Sequence, residues 1–240
     1  MQFQEHLIES AAQMGIAVSP AQAQQFETYH HMLVETNRVM NLTRVPDDEI
    51  EAIDRNYLDS VAPLAIPGMM DGVKRMVDVG TGAGFPGIPL AIMCPDVKVI
   101  LLDSLKKRLT FLDGVIEALH LNAVTVHARA EDGARKPHLR EGFDLCTARA
   151  VASMQVLSEY LLPYARVGGR MLCYKGPTLD DELSAAQKAI RVLGGRVEST
   201  SAAVIPGRDW DHRLCVVRKI AKTPPAYPRK AGEPAKKPIQ

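Results

Sequence analysis

The chain has 240 residues, of which 46% are hydrophobic and 24% are charged, and its formal net charge is +1. This length and hydrophobic content are enough to fill a large buried core, which excludes a disordered protein. No apolar run approaches the roughly 20 residues that a membrane-spanning helix needs, so we expect a cytoplasmic protein without a membrane partner.

Four cysteines are widely spaced and form no CxxC pair suited to a metal. We therefore predict reduced, buried thiols and no metal site. Charge is distributed unevenly: residues 1–70 contain three Lys or Arg against ten Asp or Glu, whereas residues 218–240 contain seven against one. The basic end also holds five prolines, which favour an extended chain over a helix. We predict a basic, proline-rich tail over residues 220–240 that forms an extended arm.

The first 70 residues are predicted to be helical. Ser19-Pro20-Ala21-Gln22 combines a helix N-cap, a proline in the first turn and a capping-box glutamine. Asp47 can cap a further helix whose apolar stripe runs from Ile50 to Leu64. No strand pattern interrupts these helices, so we predict an N-terminal helical cap over residues 1–70.

From residue 71 onward, short β-branched runs alternate with amphipathic stretches. Strands are predicted at 75–79, 97–103, 122–127, 143–149, 170–175, 196–204 and 212–219. This alternation predicts an α/β fold, with a doubly wound, seven-stranded, mostly parallel sheet covered by helices on both faces. No helical pattern separates the last two strands, which should therefore form an antiparallel edge hairpin. We assign residues 71–219 to one ligand-binding domain.

A glycine-rich loop follows the first strand. It reads Asp78-x-Gly80-x-Gly82-x-Gly84, and small residues here let the backbone pass close to a ligand at a helix N-terminus. The loop ends in Phe85-Pro86-Gly87 rather than in the GK[ST] of a nucleotide P-loop, which excludes that reading. A dinucleotide fingerprint fits only in an offset frame that begins at Gly82.

Charge favours a different cofactor for this loop. S-adenosylmethionine carries a sulfonium and an ammonium but no phosphate, so the carboxylate of Asp78 suits it and would repel a pyrophosphate. Asp103 ends the next strand and can accept hydrogen bonds from a ribose diol, a feature that NAD-binding proteins share. An NAD(P)-dependent oxidoreductase and a non-catalytic RNA-binding protein with a degenerate cofactor fold remain alternatives.

The third and fourth strands supply further candidates. Ala130-Glu131 follows the third strand, where a glutamate or a backbone group can meet an adenine amine. Arg149 ends the fourth strand, at the edge where open α/β sheets bind ligands. An Asn/Asp-Pro-Pro-aromatic motif for methylation of an adenine amine is absent here, and Cys146 is interpreted as a core thiol. Guanine N7 has a lone pair and no proton to lose, so its methylation needs alignment rather than a general base.

Several segments resemble the bacterial small-subunit ribosomal RNA methyltransferase G family, also called glucose-inhibited division protein B. They are NRVMNLT at 37–43, LDS at 58–60, VDVGTGAGFPGIPLAI at 77–92, LLDSLKKRLTFL at 101–112, AE at 130–131, ARA at 148–150, KG at 175–176 and YPRKAG at 227–232. The resemblance runs almost from end to end. It implies a class I methyltransferase (Rossmann-like) fold, S-adenosylmethionine as donor and N7 of guanine 527 in 16S rRNA as acceptor.

The resemblance also implies cofactor contacts at Gly80, Phe85, Ala130, Glu131 and Arg149. One position departs from the family: a histidine commonly precedes the LDS segment where this chain has Asn56. This difference puts in doubt an essential proton transfer at that position.

Together these observations assign roles to individual residues. The glycines at 80, 82 and 84 would allow close approach, Asp78 would balance positive charge and Asp103 would hold the ribose. Arg149 is the catalytic candidate, between cofactor and RNA. The RNA-binding candidates are Asn41, Lys175, Arg229 and Lys230. Trp210 either fills a turn or stacks on a base.

The acidic N-terminal region should repel RNA, so we expect RNA on another face. The resemblance implies 16S rRNA or the small ribosomal subunit, as an assembly intermediate, as the partner, and we expect a monomer.

Overall fold

The computed structural model describes residues 3–240 and contains one seven-stranded sheet. Its strands are β1 (Arg75–Val79), β2 (Lys98–Asp103), β3 (Ala123–His127), β4 (Phe143–Arg149), β5 (Ala165–Lys175), β6 (Gly195–Ala202) and β7 (Arg213–Lys219). The strand order is β3-β2-β1-β4-β5-β7-β6. Strands β1 to β5 pair in parallel, whereas β7 runs antiparallel to both β5 and β6. The predicted fold class and the antiparallel hairpin at the edge are confirmed.

Helices cover both faces of the sheet. They are α1 (Phe3–Gln13), α2 (Pro20–Met40), α3 (Glu49–Ala52), α4 (Asp59–Val61), α5 (Gly87–Met93), α6 (Lys106–Leu119), α7 (Ala130–Gly133), α8 (Met154–Leu161), α9 (Leu179–Val192) and α10 (Glu233–Lys236). Alternate residues of β2 enter different cores: Val99 and Leu101 pack in one, Ile100 and Leu102 in the other. The continuous apolar run of this strand is therefore explained by burial on both sides. None of the helices within residues 3–240 is long and apolar enough to span a bilayer.

The first helices pack against one face of the sheet. Helix α2 begins with the predicted capping box: Gln22 N donates to Ser19 Oγ at 3.3 Å and Ser19 N donates to Gln22 Oε1 at 3.0 Å. Tyr29 on this helix is fully buried, and its hydroxyl donates to the carbonyl of Ala83 at 2.7 Å. Helix α2 thereby contacts the glycine-rich loop directly.

The predicted helix after Asp47 differs from the structure. Asp48, not Asp47, forms the cap, since Glu51 N donates to Asp48 Oδ1 at 2.7 Å. The segment is then divided into α3, a π-helical turn at Ile53–Leu58, α4 and a 3₁₀ turn at Ala62–Ala65. The π-helical turn adds a residue to the helical repeat, which an apolar stripe alone does not reveal.

The C-terminal tail is not the extended free arm that the prolines suggested. Arg140 donates to the carbonyls of Tyr227 at 2.9 Å and of Thr223 at 3.0 Å, and Arg135 donates to the carbonyl of Pro228. A proline-rich chain forms few internal hydrogen bonds, so its carbonyl groups are free to accept from arginine side chains. The tail consequently lies on the body of the protein.

Candidate functional site

Two clefts open at the carboxyl ends of the parallel strands. The β1–β3 cleft, of about 410 Å³, lies beyond β1, β2 and β3 and includes Gly80, Asp103 and Glu131 in its walls. The β4–β5 cleft, of about 440 Å³, lies beyond β4 and β5 and includes Arg149. Ala150 lines both clefts and has a positive φ of 56°. The chain after β4 thus separates two adjoining sites of ligand size.

The buried carboxylate of Asp78 accepts hydrogen bonds from the glycine-rich loop. Its Oδ2 accepts hydrogen bonds from Thr81 Oγ1 at 2.7 Å and from Gly87 N at 2.9 Å. The side chain is fully buried, and this burial raises its pKa to about 7, although both hydrogen bonds oppose the shift. Asp78 is not among the residues that line the β1–β3 cleft. The structure therefore places it beneath the loop, where its contacts are with the loop itself.

The three glycines of the loop have different surroundings. Gly80 has a φ of 74° and lines the β1–β3 cleft. Gly82 has a φ of 61°, and its N–H donates to Asp103 Oδ2 at 2.9 Å. A Cβ on Gly84 would lie 2.8 Å from both Tyr29 Oη and Leu112 Cδ2. Gly84 is thus required by the packing of α2 and α6, and only Gly80 of the three borders the cleft.

Asp103 and Glu131 place carboxylates at two points of the β1–β3 cleft. Asp103 accepts from Leu105 N at 2.8 Å and from Gly82 N at 2.9 Å. Because a carboxylate has about four lone-pair directions, acceptor capacity remains for the hydroxyls of a ribose. Glu131, which is 4% exposed, accepts from Gly232 N at 2.7 Å. The cleft therefore presents two carboxylates that can accept hydrogen bonds from a bound ligand.

The tail residues Gly232 and Ala235 also line this cleft, which the sequence did not indicate. Gly232 lies 101 residues from Glu131. Residues so far apart in the chain leave no local sequence pattern from which their contact could be predicted.

The carboxylate of Asp59 accepts hydrogen bonds from two side chains of the β4–β5 cleft, those of Arg149 and His212. Arg149 Nη1 donates to Asp59 Oδ2 at 2.8 Å and to the carbonyl of Arg55 at 3.0 Å. His212 Nδ1 donates to Asp59 Oδ1 at 2.8 Å. Burial opposes ionisation of Asp59, but the hydrogen bonds from His212 and Arg149 outweigh it and lower the pKa of this carboxyl. The guanidinium carbon of Arg149 also lies 4.9 Å from the ring centroid of Phe85, which links this cleft to the glycine-rich loop.

Two predicted RNA-binding residues are paired with carboxylates instead. Lys175 Nζ lies 2.6 Å from Glu182 Oε2, and its side chain is 9% exposed. Arg229 Nη2 lies 2.6 Å from Glu159 Oε2, and the Glu159 side chain is 1% exposed. A phosphate would compete with these carboxylates for the two cations, which makes both residues weaker candidates for phosphate contact. The other two candidates, Asn41 and Lys230, are exposed.

Asn56 and Trp210 are placed beside this cleft. Asn56 is 5% exposed and lines the cleft, and its Nδ2 has no hydrogen-bond partner within residues 3–240. The Trp210 ring centroid lies 4.2 Å from the guanidinium carbon of Arg55 and 5.2 Å from that of Arg208. The indole thus holds two arginines by cation–π contacts.

The strand order, with antiparallel β7 between β5 and β6 and a glycine-rich loop after β1, is that of a class I S-adenosylmethionine-dependent methyltransferase fold. The fold is similar to that of a putative O-methyltransferase from Klebsiella pneumoniae, with a TM-score of 0.55 and 14% identity over 91% of this chain and 96% of that one. The model of the family described as rRNA small subunit methyltransferase G matches residues 22–210. The chain belongs to this family.

Curated relatives match the whole chain. One is the ribosomal RNA small subunit methyltransferase G of Lactobacillus johnsonii, 48% identical over 98% of this chain and 99% of the relative. Another, of the same name, from Clostridium botulinum is 45% identical over the full length of both. The suggested family resemblance is confirmed, and of the two cofactors that the sequence left open, the methyltransferase family and fold support S-adenosylmethionine.

Proposed function

We propose that this protein transfers a methyl group from S-adenosylmethionine to N7 of guanine 527 in the 16S rRNA of the small ribosomal subunit. The observation that carries the proposal is the pair of clefts that meet at Ala150, one with two carboxylates that can accept hydrogen bonds from a bound ligand and the other lined by Arg149. The family of the chain supports ribosomal RNA as the substrate class. The proposed substrate places the reaction in the cytoplasm, and we propose that the protein acts as a monomer.

The β1–β3 cleft would hold the cofactor, which supplies an electrophilic methyl group on a sulfonium. Asp103 would accept hydrogen bonds from the ribose hydroxyls, and Ala130 and Glu131 would contact the adenine. Gly80 would let the backbone approach the ligand, since it lines the cleft without a side chain. Asp78 would act through the loop that it fixes rather than by direct contact.

The β4–β5 cleft would hold the acceptor guanine. N7 needs no general base, so the residues around it have to align the base and stabilise charge. Arg149 can donate to O6 of the guanine and so present the edge that carries N7. Methylation gives the purine a positive charge. The carboxylates of Asp59 and Glu182, which hydrogen bonds hold at a lowered pKa, line the same cleft and would limit the repulsion between this charge and the paired Arg149 and Lys175.

RNA phosphates would meet exposed cations around the clefts. Lys106 and Lys107 are exposed at the start of α6, directly after β2, and Lys230 is exposed on the tail. These side chains replace Lys175 and Arg229 as candidates, because they are exposed and form no ion pair within residues 3–240. Asn41 remains a candidate as an exposed residue at the end of α2.

The proposal is tested by mass mapping of 16S rRNA from cells with and without the gene. We expect one methyl group to be lost from the fragment that contains guanine 527, and to return with the wild-type gene but not with an Arg149→Ala variant. Purified enzyme with naked 16S rRNA and with small subunits would then identify the substrate form. An unchanged methyl content at this fragment would refute the acceptor assignment.

A further inference from the structure

A segment of the tail forms one wall of the cofactor cleft. We call residues 227–236 the C-terminal strap. Gly232 and Ala235 of the strap line the β1–β3 cleft together with Glu131 and Tyr160. The N–H of Gly232 donates to Glu131 Oε1 at 2.7 Å. The strap is therefore in direct contact with the carboxylate that faces the proposed adenine position.

A buried ion pair anchors the strap to α8. Arg229 N and Nε donate to Glu159 Oε1 at 2.7 and 3.0 Å, and Arg229 Nη2 donates to Glu159 Oε2 at 2.6 Å. The carboxylate of Glu159 is almost fully buried, so it depends on this guanidinium for compensation. Arg140 donates to the carbonyl of Tyr227, just before the anchor. Gly232 follows Arg229 by three residues, which makes its position depend on the anchor.

The hydrogen bond from Gly232 also determines how Glu131 can serve a ligand. It occupies Oε1, whereas Oε2 accepts no hydrogen bond within residues 3–240. A carboxylate can accept at both oxygens. With Oε1 held by the strap, the other oxygen is left for a donor in the cleft, and the 6-amino group of adenine is such a donor.

We propose that the C-terminal strap completes the adenine-binding part of the cofactor cleft, with the Gly232 N–H orienting Glu131 so that its free oxygen accepts from the 6-amino group. The inference rests on S-adenosylmethionine as the cofactor and on Glu131 as its adenine contact. It adds a role for Arg229 as a positioning residue, in place of the phosphate contact first expected. The strap lies outside the region that the family model matches, which ends at residue 210.

The test measures binding of S-adenosylhomocysteine and S-inosylhomocysteine to the full chain by calorimetry. The inosyl compound carries an oxygen in place of the 6-amino group. We expect the wild type to prefer the adenosyl ligand by about tenfold or more, since the inosyl oxygen faces a carboxylate. In Arg229→Gln, binding of S-adenosylhomocysteine should weaken about tenfold and the preference should decline towards one.

Three further variants make the result specific. Lys230→Gln removes the same charge from an exposed neighbour and should leave both affinities unchanged. Glu131→Gln presents an amide that can donate to the inosyl oxygen, so the preference should reverse. Glu159→Gln retains an acceptor for Arg229 and should give an intermediate loss of preference, which provides a milder variant if Arg229→Gln does not fold.

The outcomes separate the inference from the function on which it rests. If the wild type binds neither ligand, the cofactor assignment fails together with the inference. If the wild type prefers the adenosyl ligand and Arg229→Gln and Glu159→Gln keep that preference, only the role of the strap is overturned. Tighter binding in either anchor variant would also overturn it, because the strap would then compete with the cofactor.

Discussion

Asp59 is the residue on which the geometry of the β4–β5 cleft depends, because it fixes both Arg149 and His212 at 2.8 Å. Asp59→Asn keeps the shape but removes the charge that pairs with the guanidinium. We expect the rate of methyl transfer to decrease by about 10- to 100-fold, because Arg149 would no longer be held in the position that aligns the guanine. Binding of S-adenosylhomocysteine should be unchanged. Methyl incorporation into small subunits and calorimetry measure the two effects.

A suitable control for this variant is Asp180→Asn. Asp180 also pairs with an arginine, at 2.7 Å from Arg213, but its side chain is 74% exposed. An exposed pair contributes little, so activity should stay near the wild-type value. Equal rates for the two variants would show that the buried pair of Asp59 has no role in transfer.

Asp78 gives the protein an unusual pH dependence of stability. Burial raises its folded-state pKa to about 7, above the value of roughly 3.9 expected in the unfolded chain. The folded chain therefore binds the proton more tightly between these pH values, and the free energy of unfolding falls as pH rises through this range. We expect Asp78→Asn to lack this contribution, which amounts to at most about 4 kcal/mol.

Urea unfolding of wild type and Asp78→Asn at several pH values between 4 and 7.5 checks this expectation. Other carboxyl groups, such as Asp144 with its lowered pKa, act alike in both proteins and cancel in the difference. The stability of the wild type relative to the variant should decrease with rising pH. Parallel curves would mean that Asp78 is ionised throughout, and would contradict the raised pKa.

Residue roles that follow from local order were easier to predict than those that follow from distant partners. Gly80 and Glu131 follow strands and Asp103 ends one, and the structure brings all three into one cleft. Nothing in the sequence indicated that Lys175 and Arg229 form ion pairs with carboxylates. The pairing of Arg229 with Glu159 could not be recognised, because 70 residues separate them. Glu182 is near Lys175 in the chain, but it lies on α9 whereas Lys175 ends β5, and no helical or strand period links the two.

The packing of α5 onto the sheet depends on a glycine at its first position. A Cβ on Gly87 would lie 2.3 Å from Leu101 Cδ2 and 2.7 Å from Asp78 Oδ2. We expect Gly87→Ala to lower the free energy of unfolding by about 1–3 kcal/mol, because α5 has to move away from β2. It should also weaken S-adenosylhomocysteine binding, since the displaced helix carries the glycine-rich loop. Chemical denaturation and calorimetry measure both.

The matched control is Gly114→Ala in α6. A Cβ at this position meets no atom within 4 Å, and the residue lies in the interior of a helix. Alanine should therefore stabilise the protein by up to about 1 kcal/mol through helix propensity. Destabilisation by both substitutions would indicate that the steric argument for Gly87 is wrong.

The regular elements of this fold were predictable because burial imposes visible periods on them. Strands β1 and β2 are short apolar runs, and α6 and α9 show a helical stripe. The π-helical turn at Ile53–Leu58 was not predictable, because a wider turn still carries apolar residues on its inner side. It has a functional consequence, since it supplies the carbonyl of Arg55 to Arg149 and leads directly into Asp59.

At the scale of the whole molecule, charge and sheet polarity together indicate where RNA binds. The first 70 residues are acidic, and the basic tail is packed on the body near the β1–β3 cleft rather than extending into solvent. Parallel strands place both clefts at their carboxyl ends. Exposed lysines at that edge should therefore contact phosphates, whereas exposed lysines at the amino ends should not.

This expectation can be tested with two double variants of equal charge. Lys106→Gln with Lys107→Gln alters the carboxyl edge, at the start of α6, whereas Lys74→Gln with Lys98→Gln alters the amino edge, at the start of β1 and β2. We expect the first pair to weaken binding of 16S rRNA and to reduce the slope of log K against log salt by about 1.5, since two phosphate contacts are lost. The second pair should leave both quantities unchanged. Equal losses in the two variants would mean that net charge alone governs association, and the RNA-binding face would then have to be sought without reference to the polarity of the sheet.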